Sequence, residues 1–193
     1  MSRGLIAAVA LLALGAAAWW AARRSSPPTA VSGRDAAVLR TLDDILRSRN
    51  DNDPRLDSDF NALSPEAKRL LRERYAGLPR ERRNELGTIV YLLGKNLSSA
   101  ADWEFLRAVA AEPPCLSLAD CSKRAPMGPG DAVTLAYPAL VALEQAKDAL
   151  RAGVSTEEAR SVVKAGKDSK VPAVVEHTAR VEATTKVQGP AKP

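Results

Sequence analysis

Apolar residues recur at helical spacing from Arg34 onward, and this periodicity restricts the fold more than any other feature of the chain. The first such face has apolar side chains at positions i, i+4, i+7 and i+8: Val38, Leu42, Ile45 and Leu46. This spacing is typical of an amphipathic α-helix. No stretch of useful length alternates apolar and polar residues as a half-buried strand does. The sequence therefore predicts an all-α fold of short helical hairpins.

Capping signals mark where several helices begin. Ser64-Pro65-Glu66 combines a capping hydroxyl, a proline at the first helical position and an acid near the positive end of the helix dipole. Ser99–Asp102 and Ser155–Glu158 have the spacing of capping boxes. Asp131–Ala152 is predicted to be a longer helix, which Pro138 should kink because proline removes a backbone donor.

A long apolar segment precedes the helical region. Gly4 to Ala22 carries no charged side chain and is flanked by Arg3 and by Arg23-Arg24. A helix of this length rises about 28 Å, close to the hydrocarbon thickness of a bilayer. We expect residues 1–24 to be an uncleaved membrane anchor. A cleaved signal peptide and a soluble cytosolic chain are the alternatives.

Two other segments lack the composition of a core. Residues 25–33 are rich in proline and small residues and are predicted to be a linker. Residues 166–193 contain isolated valines, no repeating apolar face and an excess of basic residues, so they are predicted to be a disordered cationic tail. The all-helical domain is accordingly expected to span residues 34–165.

The two cysteines, Cys115 and Cys121, lie six positions apart in a proline-rich segment. A closely spaced pair in an exported chain is typical of a disulfide, and two unrelated reduced thiols are the alternative. The spacing differs from that of C-x-x-C oxidoreductases, so redox catalysis is not expected. The pair favours a bacterial inner-membrane protein with a single N-terminal span and a periplasmic domain. If the segment is cleaved, the protein is secreted to the periplasm.

The junction between two of the predicted helices resembles that of HEAT-type helical repeats. Leu92-Leu93-Gly94 closes one helix, and Ser99–Asp102 opens the next. The hairpins would span Pro65–Leu93 and Ala100–Ala152, with starts about 35 residues apart. This resemblance covers about half the chain and implies an α-solenoid fragment that serves as a protein-binding scaffold without catalytic residues. A small helical bundle gives the same signals.

The composition leaves few catalytic options. One histidine and two cysteines exclude multi-cysteine zinc and iron–sulfur sites. His177 falls in the predicted tail, where an oriented imidazole of a catalytic triad is not expected. An EF-hand match that starts at Asp57 fails because Lys68 occupies the position of the bidentate glutamate. We therefore expect no enzyme, no cofactor and no metal site.

The net charge of +5 arises mainly beside the apolar segment. Without Arg3, Arg23 and Arg24, 25 basic residues face 23 acidic ones, so no nucleic-acid surface is expected. A local basic group surrounds the turn at Gly77. Its members are Arg69, Arg72, Arg80, Arg82 and Arg83. They form either a binding surface or an ordinary solvated helix face that contains glutamates as well.

These observations leave three functional hypotheses. The first is a membrane-anchored envelope protein whose periplasmic helical domain acts as a scaffold or adaptor for another envelope protein. The second is a binder of anionic envelope polymer or lipid through the basic surface and the tail. The third is a small periplasmic hydrolase, for which the sequence identifies no catalytic residue.

Overall fold

The computed structural model describes residues 32–187, and within this range the chain forms helices and no strand. The helices are α1 (Gly33–Ser48), α2 (Arg55–Ser58), α3 (Pro65–Gly77), α4 (Arg83–Gly94), α5 (Ala100–Ala110), α6 (Asp131–Ala152), α7 (Thr156–Lys167) and α8 (Pro172–Val187). The predicted all-α fold is confirmed for this range. Within the described residues, the chain from Arg34 onward forms one compact unit.

The predicted membrane segment, Gly4 to Ala22, and most of the predicted linker lie outside the described residues. Between residues 32 and 187, no helix has both the length and the apolar character that crossing a membrane requires.

Two of the three predicted capping sites form as expected. The Ser64 side chain accepts a hydrogen bond from the Ala67 N–H at 2.9 Å, with Pro65 in the first turn of α3. Ser99 and Asp102 form a capping box at the start of α5. Ser155 instead adopts a left-handed backbone conformation and makes no side-chain cap, so the predicted box at α7 is wrong.

Helix α6 is the centre of the helical arrangement. It contacts α4, α5, α7 and α8, and α5 also contacts α7. The buried face of α6 carries alanines, which allow close packing: Ala136, Ala139, Ala142, Ala146 and Ala149.

Glycines bring α4 especially close to α6. Gly87 lies against the ring of Tyr137, and Gly94 lies against the Gln145 side chain. A Cβ at either glycine would overlap these side chains. The missing side chains therefore allow the two helices to approach.

A second apolar cluster connects α1, α2, α3 and α4. Its largest fully buried side chain is Phe60, in the segment between α2 and α3. The other buried members are Leu42, Ile45, Leu46, Leu56, Leu71, Leu78, Leu86, Ile89, Leu92 and Leu93. Helix α4 also contributes Val90 to the cluster around α6, so it links both parts of the core.

The predicted boundary at residue 166 and the predicted disordered tail are wrong. Helix α7 continues to Lys167, and α8 occupies Pro172–Val187. Val174 and Val181 are each 1% exposed in the cluster around α6. The valines that looked isolated in the sequence therefore form a buried face, and this burial offsets the entropy of ordering the segment. Residues 188–193 lie outside the described part of the chain.

Candidate functional site

Cys115 and Cys121 form a disulfide, as predicted, with Cα atoms 4.2 Å apart. The disulfide is buried against Leu135 in the first half of α6, and these three residues make a small apolar cluster separate from the main core. The bridge closes a short loop of residues 116–120 between α5 and α6. The proline-rich connection is thereby fixed against α6.

Hydrogen bonds also hold this loop. The Leu116 N–H donates to the Cys121 carbonyl at 3.0 Å, and the Ser117 hydroxyl donates to the Asp120 carbonyl at 2.9 Å. The Cys121 N–H donates to Oε1 of Glu81, in the turn before α4, at 2.8 Å. This backbone donor holds the pKa of the Glu81 carboxyl below its usual value. Glu81 therefore accepts as a carboxylate and connects the loop to a segment forty residues away.

The disulfide loop forms one wall of an open cleft of about 380 Å³. The end of α1 with the turn after it, the start of α4 and the first turn of α6 also line this cleft. The lining residues are Ile45, Arg49, Asn50, Asp51, Glu81, Arg82, Arg83, Asn84, Glu85, Thr88, Leu118 and Thr134. Four segments that are distant in sequence thus meet at this cleft, which we call the disulfide-loop cleft.

Several polar groups of the disulfide-loop cleft are available to a ligand. Among residues 32–187, the side chains of Arg49 and Asn84 make no hydrogen bond or ion pair. Asp51 accepts a hydrogen bond from the Asn52 amide at 3.4 Å and has no cationic partner in the same range. The cleft therefore offers the cation of Arg49, the anion of Asp51 and the amide of Asn84. These groups match a polypeptide, which carries both donors and acceptors, better than they match a ligand with charges of a single sign.

An exposed apolar side chain accompanies these polar groups. Leu118 lines the cleft and is 41% exposed. An exposed apolar side chain that lines a cleft indicates an interaction site more strongly than an isolated one elsewhere on the surface does.

The five arginines of the predicted basic surface do not form one open cationic face. Arg83 is 4% exposed and donates to the Leu135 carbonyl at 2.9 Å. Arg72 donates to the buried carboxylate of Asp102 at 2.9 Å. The prediction of a shared basic surface is therefore wrong for these two, because carboxylates and carbonyls from other elements occupy their guanidinium groups.

The other three arginines also have partners. Arg69 pairs with Glu66 and Glu73 on its own helix. The Arg80 guanidinium donates to the Pro113 carbonyl at 2.6 Å. Arg82, which lines the cleft, donates to Glu85 at 3.0 Å and to the Leu46 carbonyl at 3.3 Å. The glutamates lie three or four residues from their arginines, whereas the Pro113 and Leu46 carbonyls belong to distant segments and could not be predicted from sequence spacing.

A buried polar cluster that no sequence motif indicates lies at the start of α5. Lys68 Nζ donates to Asp102 Oδ2 at 2.8 Å and to Ser98 Oγ at 2.7 Å. A serine beside a lysine resembles the nucleophile and base of some hydrolases. Here Asp102 holds the lysine as its ion-pair partner, and a protonated amine has no lone pair with which to accept the Ser98 proton. The cluster therefore joins α3 to α5 and does not activate a nucleophile.

His177 lies on α8, in the segment that was predicted to be disordered. Its Nε2 is 2.7 Å from Glu144 Oε1 on α6, in a close contact that lacks hydrogen-bond alignment. Burial acts to raise the pKa of the Glu144 carboxyl, but Lys147, which also pairs with it, and His177 outweigh burial and hold that pKa below its usual value. The contact of His177 therefore helps to fix α8 on α6.

Nothing in residues 32–187 groups three or more histidine, cysteine, aspartate or glutamate side chains as a metal site would require. No protein-family description, no curated protein and no solved structure matches the chain. The resemblance to HEAT-type repeats therefore stays a prediction.

Proposed function

We propose that this protein is an adaptor of the bacterial envelope, with a helical domain that binds another envelope protein in the disulfide-loop cleft. The apolar segment from Gly4 to Ala22 would anchor it in the inner membrane, with the helical domain in the periplasm. Cleavage of that segment would release the same domain into the periplasm. The proposal assigns the domain no catalytic activity and no cofactor.

One observation carries the proposal. The disulfide loop places an exposed leucine, Leu118, at the edge of a cleft whose polar groups are partly unpaired. A protein partner buries such an apolar side chain and supplies backbone donors and acceptors to groups such as Asn84. The cleft is open to solvent on one side, which suits a polypeptide segment better than an enclosed small molecule.

The competing hypotheses receive less support. A binder of anionic polymer needs guanidinium groups that are free to contact it, and the five predicted arginines are engaged in internal contacts. A hydrolase needs a nucleophile with an available base, and Lys68 is held by Asp102. The disulfide supports export, because such bonds persist in oxidising compartments.

The experiment is photocrosslinking in intact cells, with a photoreactive phenylalanine at Leu118 or Thr134. Both sites should capture one and the same envelope protein. The matched control is Val154, which is 56% exposed in the turn after α6, at the opposite end of that helix from Thr134. The proposal fails if the two cleft sites capture nothing or if Val154 captures the same species.

Purified components then test the contact directly. The captured partner should bind the full-length protein in detergent, and Leu118→Asp should weaken binding at least tenfold because it buries an unpaired charge in the interface. Val154→Asp should leave binding unchanged. Binding that persists at raised salt would support the apolar contact, whereas loss of binding at raised salt would favour the anionic-polymer hypothesis.

The membrane topology has a separate test. Alkaline phosphatase, which is active only after export, should be active when fused after Pro193. An inactive fusion at a normal protein level would overturn the periplasmic placement.

A further inference from the structure

We infer that the disulfide-loop cleft is gated by redox state: only the closed Cys115–Cys121 bridge holds Leu118 in the cleft wall. This inference rests on the proposed function for its consequence, partner binding. Its structural part depends only on the loop.

The position of Leu118 depends on a few local contacts. It lies within the loop that the bridge closes, and residues 116–120 belong to no helix. The loop is fixed to the body of the domain by the disulfide against Leu135 and by the hydrogen bond from the Cys121 N–H to Glu81. Without the bridge, hydrogen bonds alone would have to order the connection. Inside the loop these are the Ser117–Asp120 and Leu116–Cys121 bonds, and the bonds to the rest of the domain are Cys121–Glu81 and Arg80–Pro113.

A dithiol reductant can open the loop by thiol–disulfide exchange with the Cys115–Cys121 bridge. Its first thiolate attacks one sulfur of the pair, the Cys115–Cys121 bond breaks, and a mixed disulfide forms. Its second thiolate displaces the protein thiolate, so the reductant becomes a disulfide. The two protein sulfurs gain two electrons and two protons and end as thiols.

The surroundings of the bridge make this reaction dependent on loop opening. Cys115 and Cys121 are 8% and 5% exposed, and Leu135 covers them. A reductant reaches the sulfurs only when the loop moves away from α6. The disulfide is thus protected from reduction while the loop stays packed against α6. Once the bond is reduced during a brief opening of the loop, the loop no longer returns to a bridged state.

The test compares the full-length oxidised protein with the Cys115→Ser/Cys121→Ser double variant and with protein reduced by dithiothreitol. Amide hydrogen exchange by NMR is measured at positions 116 and 121, whose N–H groups are hydrogen-bonded in the structure. Both amides should exchange at least tenfold faster without the bridge. The Ala67 amide, capped by Ser64, is the internal control and should be unchanged.

A second variant separates the two attachments of the loop. Glu81→Ala removes the acceptor of the Cys121 N–H but leaves the bridge closed. It should accelerate exchange at position 121 and leave position 116 protected. Acceleration at both positions to the level of the double variant would show that Glu81, and not the bridge, orders the loop, and would overturn the inference.

A third experiment measures partner binding by photocrosslinking at Leu118. The yield of the crosslink to the captured partner should fall at least tenfold in the reduced protein and in the double variant. Unchanged exchange, or faster exchange with an undiminished yield, overturns the inference and leaves the proposed function intact. Faster exchange without the bridge, combined with no crosslink in the oxidised protein, would instead refute the proposed function while supporting the structural part of the inference.

Discussion

Lys68 and Asp102 form an ion pair inside the domain, with Nζ 2.8 Å from Oδ2 and side chains only 5% and 1% exposed. The same carboxylate accepts from the backbone N–H groups of Ser98 and Ser99, each at 3.0 Å, and from Arg72. The Asp102 carboxylate thus accepts four hydrogen bonds, and a buried charge is tolerated only when it is hydrogen-bonded and paired in this way. One aspartate therefore caps α5 and connects it to α3.

Replacing Asp102 with alanine should be strongly destabilising. The change leaves the Lys68 ammonium buried without its partner, at a cost of about 3–5 kcal/mol in the free energy of unfolding. Urea denaturation monitored by circular dichroism measures this cost. The matched control is Asp44→Ala, which breaks an exposed pair with Arg47 and should cost no more than about 1 kcal/mol. Equal losses for the two variants would contradict the buried-pair interpretation.

Asp102 should also make the free energy of unfolding depend on pH in the acid range. Burial favours the neutral form of Asp102, but the hydrogen bonds from Lys68, Ser98 and Ser99 outweigh it and lower the pKa of this carboxyl. A folded-state pKa below the unfolded value of about 3.9 stabilises the fold above that pH. This contribution disappears as the pH falls through the folded value.

Denaturation of the wild type and of Asp102→Asn between pH 2.5 and 6 isolates this effect, because asparagine does not titrate. The stability advantage of the wild type should be constant above about pH 5 and should shrink below about pH 4. An advantage that is independent of pH over this range would rule out the ionised carboxylate as its source.

The sequence predicted those features that depend on neighbouring residues. Ser64 with Pro65 and Ser99 with Asp102 are local signals, and both caps form. The cysteine pair is also local, and its disulfide is present. The cleft escaped prediction because Asp51, Glu81, Leu118 and Thr134 come from segments that only the fold brings together.

Helix α8 shows why an apolar pattern can be missed. Its buried residues are Val174, Thr178 and Val181, so a threonine interrupts the apolar face. The Thr178 hydroxyl donates to the Val174 carbonyl at 2.8 Å, which satisfies it inside the core. Valine and threonine also have low intrinsic helix propensity. Packing against α6 and α7 therefore determines this helix, and the local sequence does not reveal it.

Gly87→Ala should destabilise the domain although alanine is the better helix former. The new methyl group would overlap the Tyr137 ring, and overpacking of this kind costs about 1–3 kcal/mol, more than the gain of up to about 1 kcal/mol in helix propensity. Thermal unfolding by circular dichroism measures the net effect.

Gly77→Ala is the control for this substitution. Gly77 is the last residue of α3, and a Cβ there meets nothing within 4 Å. The variant should be as stable as the wild type or slightly more stable, by up to about 1 kcal/mol. A Gly87→Ala protein that matches Gly77→Ala in stability would mean that α4 and α6 are not in the close contact described above.

Removing helix α8 should lower the melting temperature of the domain. Deletion of residues 170–193 would uncover the faces of α6 and α7 on which Val174 and Val181 are buried. A single change, Val181→Ala, removes apolar volume from a side chain that is 1% exposed and should cost about 2 kcal/mol. For a domain of this size, that loss lowers the melting temperature by about 4–8 °C.

Val175→Ala is the matched control, because Val175 is 39% exposed on the same helix and should shift the melting temperature by less than about 2 °C. Equal melting temperatures for the wild type, the deletion and Val181→Ala would restore the original expectation of an unstructured tail.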